Sequence, residues 1–234
     1  MPDLTVFSKL ETDLGVTFSR RDLLVQAFTH RSYLNENPGF KLSHNERLEF
    51  LGDAVLELIV TEHLYHTFPN PEGDLTNLRA SLVNAKTLAE VALSLNFDTY
   101  LLLSRGEAKD TNSKARHTIL ANAVEALIGA IYLDQGMAVV KRFIEQHLLT
   151  RLDAIVAGQK YRDPKSTFQE FAQKYVNVTP AYKVLAEWGP DHDKHFRVGV
   201  YLGEEEVAVG EGQSKQEAQV AAAAAAITVK GWGG

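Results

Sequence analysis

The sequence has 234 residues, 45% hydrophobic and 23% charged, an ordinary globular composition with room for one large domain or a large and a small one. It contains no cysteine, which excludes disulfides and thiolate metal sites and favours a reducing, cytoplasmic location. The formal net charge of −6 argues weakly against nucleic acid as a partner, and no apolar run is long enough to favour a membrane.

Residues 1–157 carry apolar side chains at helical spacing and no strand pattern of useful length, which predicts an all-α domain. After a break at Pro38 and Gly39, Ser43 is placed to cap a long helix, with Glu46 completing a capping box. Residues 104–116 are polar and show no periodicity, which predicts a loop. The predicted helices cover residues 20–32, 44–66, about 75–95, 117–133 and 137–157.

The long helix after Ser43 carries three carboxylates, Glu46, Glu49 and Asp53, within a stripe roughly 60° wide. Like charges at this spacing repel each other, so the helix needs compensation. A hard divalent cation, which prefers oxygen ligands, would provide it. A solvated acidic face is the commoner meaning of such a stripe. Phe50 projects about 40° from the stripe, where a lone soluble helix is polar, and this indicates a second surface over the acidic face.

The pattern changes after residue 157. A helix beginning near Pro164, three alternating segments and an alanine-rich helix follow in order, which predicts a compact α+β domain over residues 158–234. The six consecutive alanines, 221–226, would let the last helix pack closely on a small sheet. The predicted elements are a helix at 165–175, strands at 181–188, 195–202 and 206–212, and a helix at 215–229.

These features, taken in chain order, resemble bacterial ribonuclease III, which has an all-α endonuclease domain followed by a double-stranded-RNA-binding domain. The most specific match is the segment NERLEFLGD at 45–53. The first domain also matches in FTHRSY at 28–33, EGD at 72–74 and ILANAVEALIG at 119–129, and the second in KSTFQE at 165–170, PAY at 180–182 and GEGQSK at 210–215.

The resemblance implies hydrolysis of double-stranded RNA with Mg²⁺, for which Mn²⁺ can substitute. Glu49, Asp53 and Glu125 match metal ligands of the family, and Asp53 and Glu125 are the expected catalytic residues. Glu49 and Asp53 are four residues apart, and Asn122 and Glu125 are three apart, so each pair shares one helix face. Gly129 lies on the same stripe as the second pair and permits close helix approach. Two such helices facing each other would form one oxygen cage.

Asn122 departs from the family, which usually has aspartate at this position. An amide oxygen can bind a hard cation but brings no charge, so we expect weaker metal binding or a changed ion requirement. Three interpretations stay open: natural variation with activity kept, an inactivating engineered change, or a natural dimer that binds double-stranded RNA without cutting it. We favour the first, because the rest of the site is intact.

Three other matched positions lie in the first domain. Glu46 and Glu72 match accessory acidic positions near the cleavage centre, with helix capping and a turn role as equally weighted structural alternatives. Phe50 matches an aromatic that enters a pocket of the partner subunit, which implies a homodimer with one cutting centre for each RNA strand. An ordinary core phenylalanine is the alternative.

Proteins that bind double-stranded RNA contact its wide minor groove and the 2′-hydroxyls there. At the start of the last helix, N–H groups can meet phosphate, but Lys215 is followed by Gln216 and Glu217 where the family has a basic cluster. This departure predicts weaker binding and a shallower salt dependence. The expected RNA-binding residues are Ser166, Gln169, Gln173, His192, Gln213, Ser214 and Lys215, and a basic loop with Lys109, Lys114, Arg116 and His117 either contacts the RNA backbone or is merely solvated.

The sequence therefore predicts a homodimeric, metal-dependent endoribonuclease that leaves 5′-phosphate and 3′-hydroxyl ends. The resemblance implies ribosomal precursor RNA and structured messenger RNA as substrates. Failure to bind duplex RNA would favour a simpler alternative, an acidic structural protein whose carboxylates only solvate a helix.

Overall fold

The computed structural model describes residues 5–111, 113–158, 163–190 and 193–232, so His192 lies outside the described residues. The chain divides into two compact units, residues 1–161 and 162–234. None of the described helices is long and apolar enough to cross a membrane.

The first unit is mostly helical in its described residues, as the sequence predicted, with short 3₁₀ turns at Phe97–Thr99 and Leu149–Arg151. Its helices are α1 (Thr5–Leu14), α2 (Arg21–Ala27), α3 (Arg31–Glu36), α4 (Glu46–Thr67), α5 (Glu72–Val83), α6 (Ala85–Ser94), α7 (Arg105–Lys109), α8 (Lys114–Gln135), α9 (Met137–His147) and α10 (Leu152–Ala157).

Helix α8 is the centre of the first unit. It packs against α4, α6 and α2, and most of its side chains between Ile119 and Ile131 are buried. A helix that is apolar on nearly all sides belongs in a core. The polar side chains of Asn122 and Glu125 interrupt this apolar run and remain partly exposed.

Three predicted helices are each divided. The helix predicted over residues 137–157 is interrupted by the 3₁₀ turn at Leu149–Arg151, which separates α9 from α10. Thr29 is buried, donates its hydroxyl to the Val25 carbonyl over 2.8 Å and forms an isolated bridge with Leu102, which separates α2 from α3. Asn84 adopts an extended backbone between α5 and α6, and its side chain accepts from the Thr87 amide over 3.0 Å. An asparagine that caps the following helix in this way begins a new element.

Two further local expectations were wrong. The long helix begins after Asn45, not Ser43, and Glu46 forms no capping box with Ser43. The segment 104–116 is not one loop, because it contains α7, whose first turn is capped by the Ser104 hydroxyl accepting from the Glu107 amide. It also contains the start of α8.

The second unit has the predicted α-β-β-β-α order. It comprises α11 (Pro164–Val176), β1 (Ala181–Trp188), β2 (His195–Leu202), β3 (Glu205–Gly212) and α12 (Lys215–Lys230), and the antiparallel sheet has the order β1-β2-β3.

Close packing of α12 on the sheet explains the alanine run. A Cβ atom on Gly210 would lie 2.1 Å from the backbone nitrogen of Ala222, so helix and strand approach backbone to backbone. Ala218, Ala222, Ala223 and Ala226 are buried at this contact. The predicted role of the alanines is therefore confirmed.

Candidate active site and RNA-binding face

The start of α4 is held by Asn45. This buried residue donates its backbone N–H to the Thr29 carbonyl over 2.9 Å and its side-chain amide to the Ala27 carbonyl over 3.2 Å. Its own carbonyl accepts from the Leu48 and Glu49 amides. The first turn of α4, which carries the acidic stripe, is thus anchored to the end of α2.

Two glycines bring α4 and α8 into backbone contact beside the acidic residues. A Cβ atom on Gly52 would lie 1.7 Å from the carbonyl oxygen of Glu125, and one on Gly129 would lie 2.3 Å from the carbonyl oxygen of Leu48. Only residues without a Cβ allow this approach. The role predicted for Gly129 is confirmed, whereas Gly52 was missed, because its constraint appears only when the partner helix is in place.

The carboxylates of α4 and α8 lie within electrostatic range of each other. Burial, together with the charges of Asp53 and Glu49, raises the pKa of Glu125 to about 7. Burial and the charges of Glu46 and Asp53 also raise the pKa of Glu49, opposed by a hydrogen bond from Asn122. Among the described residues, no basic side chain takes part in either shift. The site is therefore short of positive charge.

Asn122 lies near enough to the acidic stripe, across the α4–α8 contact, to lower the pKa of Glu49. An aspartate here would add a fourth negative charge to those of Glu49, Asp53 and Glu125. Asn122 therefore leaves less repulsion beside Glu49 than an aspartate would.

The predicted oxygen cage stays a prediction. Within the described ranges, no three His, Asp or Glu side chains are arranged as a ready-made metal site. The amide oxygen of Asn122 is a further possible ligand next to Glu49.

The two accessory carboxylates have different surroundings. Glu46 is exposed, lies 3.6 Å from an Arg31 guanidinium nitrogen and 3.8 Å from His44 Nδ1, and its charge reaches Glu49. Glu72 begins α5 and accepts from the Thr76 hydroxyl of the same helix over 3.0 Å. Glu46 therefore belongs electrostatically to the acidic stripe, while the described contacts of Glu72 are local.

The Phe50 side chain is 82% exposed, which excludes the core alternative within one chain. Leu58 and Tyr65 are also exposed on α4, so this helix presents an apolar face to solvent. An apolar cavity of about 470 Å³ opens elsewhere on the same unit, lined by residues that include Phe7, Val25, Tyr33, Phe40 and Leu42. An exposed aromatic of this size is typical of an interaction surface.

In the second unit, the predicted contacts of α11 share one surface. Ser166, Gln169 and Gln173 line a shallow depression of about 510 Å³ with Glu170 and Lys174. Polar groups along one helix face suit hydrogen bonding to hydroxyls.

Glu217 takes part in capping the start of α12. The prediction named it only as an acidic residue standing where the family has a basic cluster. The Ser214 hydroxyl accepts from the Glu217 amide over 3.1 Å, and the Glu217 carboxylate accepts from the Gln213 amide over 2.9 Å. The ammonium of Lys215 lies 5.6 Å above the ring of Phe196. The sequence signal for this arrangement is the S-x-x-E pattern at 214–217.

The predicted basic loop is only partly available for RNA. Arg116 is buried and bonds to Asp98 through two nitrogens, over 2.8 and 2.6 Å. Arg116 therefore holds the start of α8 against the turn at Phe97–Thr99 and is not a solvated loop residue. Lys114 and His117 lie in the first turn of α8, and Lys109 ends α7.

Comparisons with known proteins cover nearly the whole chain. The model of the ribonuclease-III-like family matches residues 20–152, and that of the double-stranded RNA binding motif matches residues 164–230. Ribonuclease 3 of Desulforamulus reducens is 46% identical over 92% of this chain and 88% of its own length. Ribonuclease 3 of Enterococcus faecalis is 42% identical over 96% of this chain and 97% of its own length. A nuclease domain of ribonuclease III from Campylobacter jejuni, described as flexible in a region involved in dimer formation, is 44% identical with a TM-score of 0.54, covering 61% of this chain and 95% of that one.

Proposed function

The chain belongs to the ribonuclease III family and is an endoribonuclease acting on double-stranded RNA, and we propose that it cuts with a divalent metal held between α4 and α8. The observation that carries this proposal is the contact at Gly52 and Gly129, which brings Glu49 and Asp53 of one helix within electrostatic range of Glu125 of the other.

The donor set fits magnesium. Glu49, Asp53, Glu125 and Asn122 offer three carboxylates and one amide oxygen, which are ligands that Mg²⁺ and Mn²⁺ accept. A cation would also offset the repulsion that raises the pKa of Glu125. When bound, the metal supplies charge stabilisation at the scissile phosphate and a nucleophilic water.

Each ligand residue has a separate task in this proposal. Asn122 places an uncharged amide beside Glu49 and lowers the pKa of that carboxylate. Glu125, whose pKa is about 7 without metal, would bind the cation as a carboxylate after releasing its proton. Asp53 is exposed, so a duplex can reach it. Glu46 and Glu72 are proposed as accessory acidic residues, and Arg31 holds the first of them in place.

The finer points of the reaction follow from the family. We assign 5′-phosphate and 3′-hydroxyl products, and structured regions of ribosomal precursor RNA and messenger RNA as substrates. A cytoplasmic location stays a prediction from the cysteine-free composition. The division between catalytic and RNA-binding domains is proposed after residue 157, in the segment between the two family matches.

A homodimer is proposed because one unit carries both an exposed Phe50 and an open apolar cavity. In a twofold dimer the same patch serves both protomers, so an aromatic on one and a cavity on the other can pair twice. Two copies would also present two cutting centres and two RNA-binding units to one duplex.

In the second unit, Ser166, Gln169 and Gln173 are proposed minor-groove contacts and Gln213, Ser214 and Lys215 proposed phosphate contacts. His192 is retained as a proposed contact from the loop between β1 and β2.

A second candidate function is a dimer that binds double-stranded RNA without cutting it. The observation that favours it is Asn122, which removes one charge from the expected ligand set. The two candidates differ in one observable, the products formed from a duplex.

The test is incubation of the full chain with an internally labelled duplex in Mg²⁺, in Mn²⁺ and in EDTA. We expect short products with 5′-phosphate ends in both metals and none in EDTA. Asp53→Asn should lower the rate at least about 100-fold, while Glu57→Gln, which alters a carboxylate of α4 paired with Arg79 over 3.0 Å, is the matched control and should leave cleavage intact. Binding without products in both metals would establish the second candidate.

A further inference from the structure

The second unit carries little positive charge for an RNA-binding domain. Residues 164–230 hold seven Lys and Arg against nine Asp and Glu. Several of the bases are already engaged by carboxylates, as in the pairs Lys194–Glu187 at 2.9 Å and Lys230–Glu205 at 2.8 Å. Affinity for a duplex comes largely from phosphate contacts, so the position of each acidic side chain matters.

Glu217 is the acidic side chain that lies within the proposed phosphate-contacting segment. Its carboxylate folds back over the start of α12 and accepts from the Gln213 amide, and its own amide donates to Ser214. Its Cβ lies so near Gly212 that a methyl group there would approach it within 2.6 Å. An exposed carboxylate is therefore held among the residues expected to meet RNA phosphate.

The nearest base does not offset this charge. The ammonium of Lys215 lies over the ring of Phe196, and its charge reaches Glu187 on β1. The Gln213 amide, which would otherwise be free for an anion, is already donated to Glu217. Phosphate approaching this segment meets both a like charge and a donor already in use.

We propose that Glu217 limits the affinity of this protein for double-stranded RNA, by repelling phosphate and competing with it at the start of α12. The inference rests on the proposed RNA-contacting role of residues 213–215. Glu217 then sets how tightly the protein binds double-stranded RNA. Productive binding then depends on two RNA-binding units engaging one duplex together, because each alone binds weakly.

A purely structural role for Glu217 makes a different prediction. Glutamine serves in a capping box as glutamate does, through its amide oxygen. Glu217→Gln therefore keeps an acceptor for the Gln213 amide while removing the charge. If Glu217 is only a helix cap, this variant binds RNA as the parent does.

The experiment measures binding of the full chain to a labelled duplex of about 32 base pairs, roughly twice the span of one such domain, by fluorescence anisotropy in EDTA. Kd is determined at several NaCl concentrations for the parent, Glu217→Gln and Glu204→Gln. Glu204 is an exposed carboxylate in the turn between β2 and β3, beside Glu205, which pairs with Lys230 at the other end of α12. Glu204→Gln therefore changes the net charge by the same amount as Glu217→Gln, but at a site away from the proposed RNA contact.

We expect Glu217→Gln to bind about fivefold tighter at low salt, with a log Kd against log salt slope steeper by roughly one half to one. Glu204→Gln should change neither quantity comparably. Equal affinity and slope for parent and Glu217→Gln would overturn the inference and leave the proposed function standing, and an equal gain from Glu204→Gln would overturn it too. Absence of duplex binding by all three proteins would overturn the proposed function as well.

Discussion

The raised pKa of Glu125 predicts a pH-dependent stability that a single substitution removes. The perturbation is Glu125→Gln, which keeps the shape of the side chain and abolishes its charge. In the metal-free protein, burial and the neighbouring charges of Asp53 and Glu49 hold the pKa of Glu125 at about 7, against an ordinary value of 4.5. The folded protein therefore retains a proton that the unfolded chain releases.

The sign follows from this difference. Below about pH 4.5 both states are protonated, and Glu125 costs the folded state nothing. Between about pH 4.5 and 7 only the unfolded chain loses the proton, so the free energy of unfolding falls as pH rises and stays lower above that range. The ceiling on this loss is about 3 kcal/mol. Because Glu125 is partly open to water, we expect roughly 1–2 kcal/mol.

The assay is thermal unfolding in EDTA at pH 4.5 and pH 8. Glu125→Gln should match the parent at pH 4.5 and melt about 3–6 °C higher at pH 8. Glu57→Gln serves as the control on α4, because its carboxylate is paired with Arg79, and should show no such gain. A Tm difference that is the same at both pH values, or absent at pH 8, would refute the electrostatic account of this site.

Three other perturbations test separate parts of the account. Asn122→Asp should lower the metal-free Tm at pH 8, since it adds a fourth negative charge beside Glu49, and should cut faster at low Mg²⁺; no faster cleavage at any Mg²⁺ concentration would contradict the role given to Asn122. Gly52→Ala should destabilise the protein by about 3 kcal/mol or more, since its Cβ would lie 1.7 Å from a carbonyl oxygen, whereas Gly73→Ala, with open space around it, should be neutral or stabilising in chemical denaturation. Phe50→Ala should shift sedimentation from dimer to monomer, whereas the control Leu93→Ala, at another exposed apolar residue, should not, and an unchanged dimer removes the anchor role of Phe50.

Patterns that depend on local sequence predicted the second unit well. The alternation in 181–188 and 195–202 matches β1 and β2 to the residue, and β3 begins one residue earlier than expected. These strands are bounded by turn-forming glycines, so the local sequence determines where they end. The S-x-x-E pattern at 214–217 is equally local and would have indicated the helix cap at Glu217, but it was not used in the prediction.

Breaks and contacts set by distant parts of the chain could not be predicted in the same way. Thr29 interrupts a helical pattern because it pairs with Leu102, more than seventy residues away. Asn45 begins α4 through contacts with the end of α2, which no capping pattern reveals. Periodicity placed Glu49 with Asp53, and Asn122 with Glu125, each on one helix face, but only the packing of α4 on α8 relates the two pairs.

The proposed reaction requires that oxygen ligands from α4 and α8 hold one divalent metal ion. The most direct measurement is anomalous diffraction from crystals of the full chain grown with Mn²⁺. We expect an anomalous peak between the two helices, with oxygen atoms of Glu49 or Asp53 and of Glu125 about 2–2.5 Å away. A map with no peak there, or with Mn²⁺ ligated by residues of one helix only, would contradict the account.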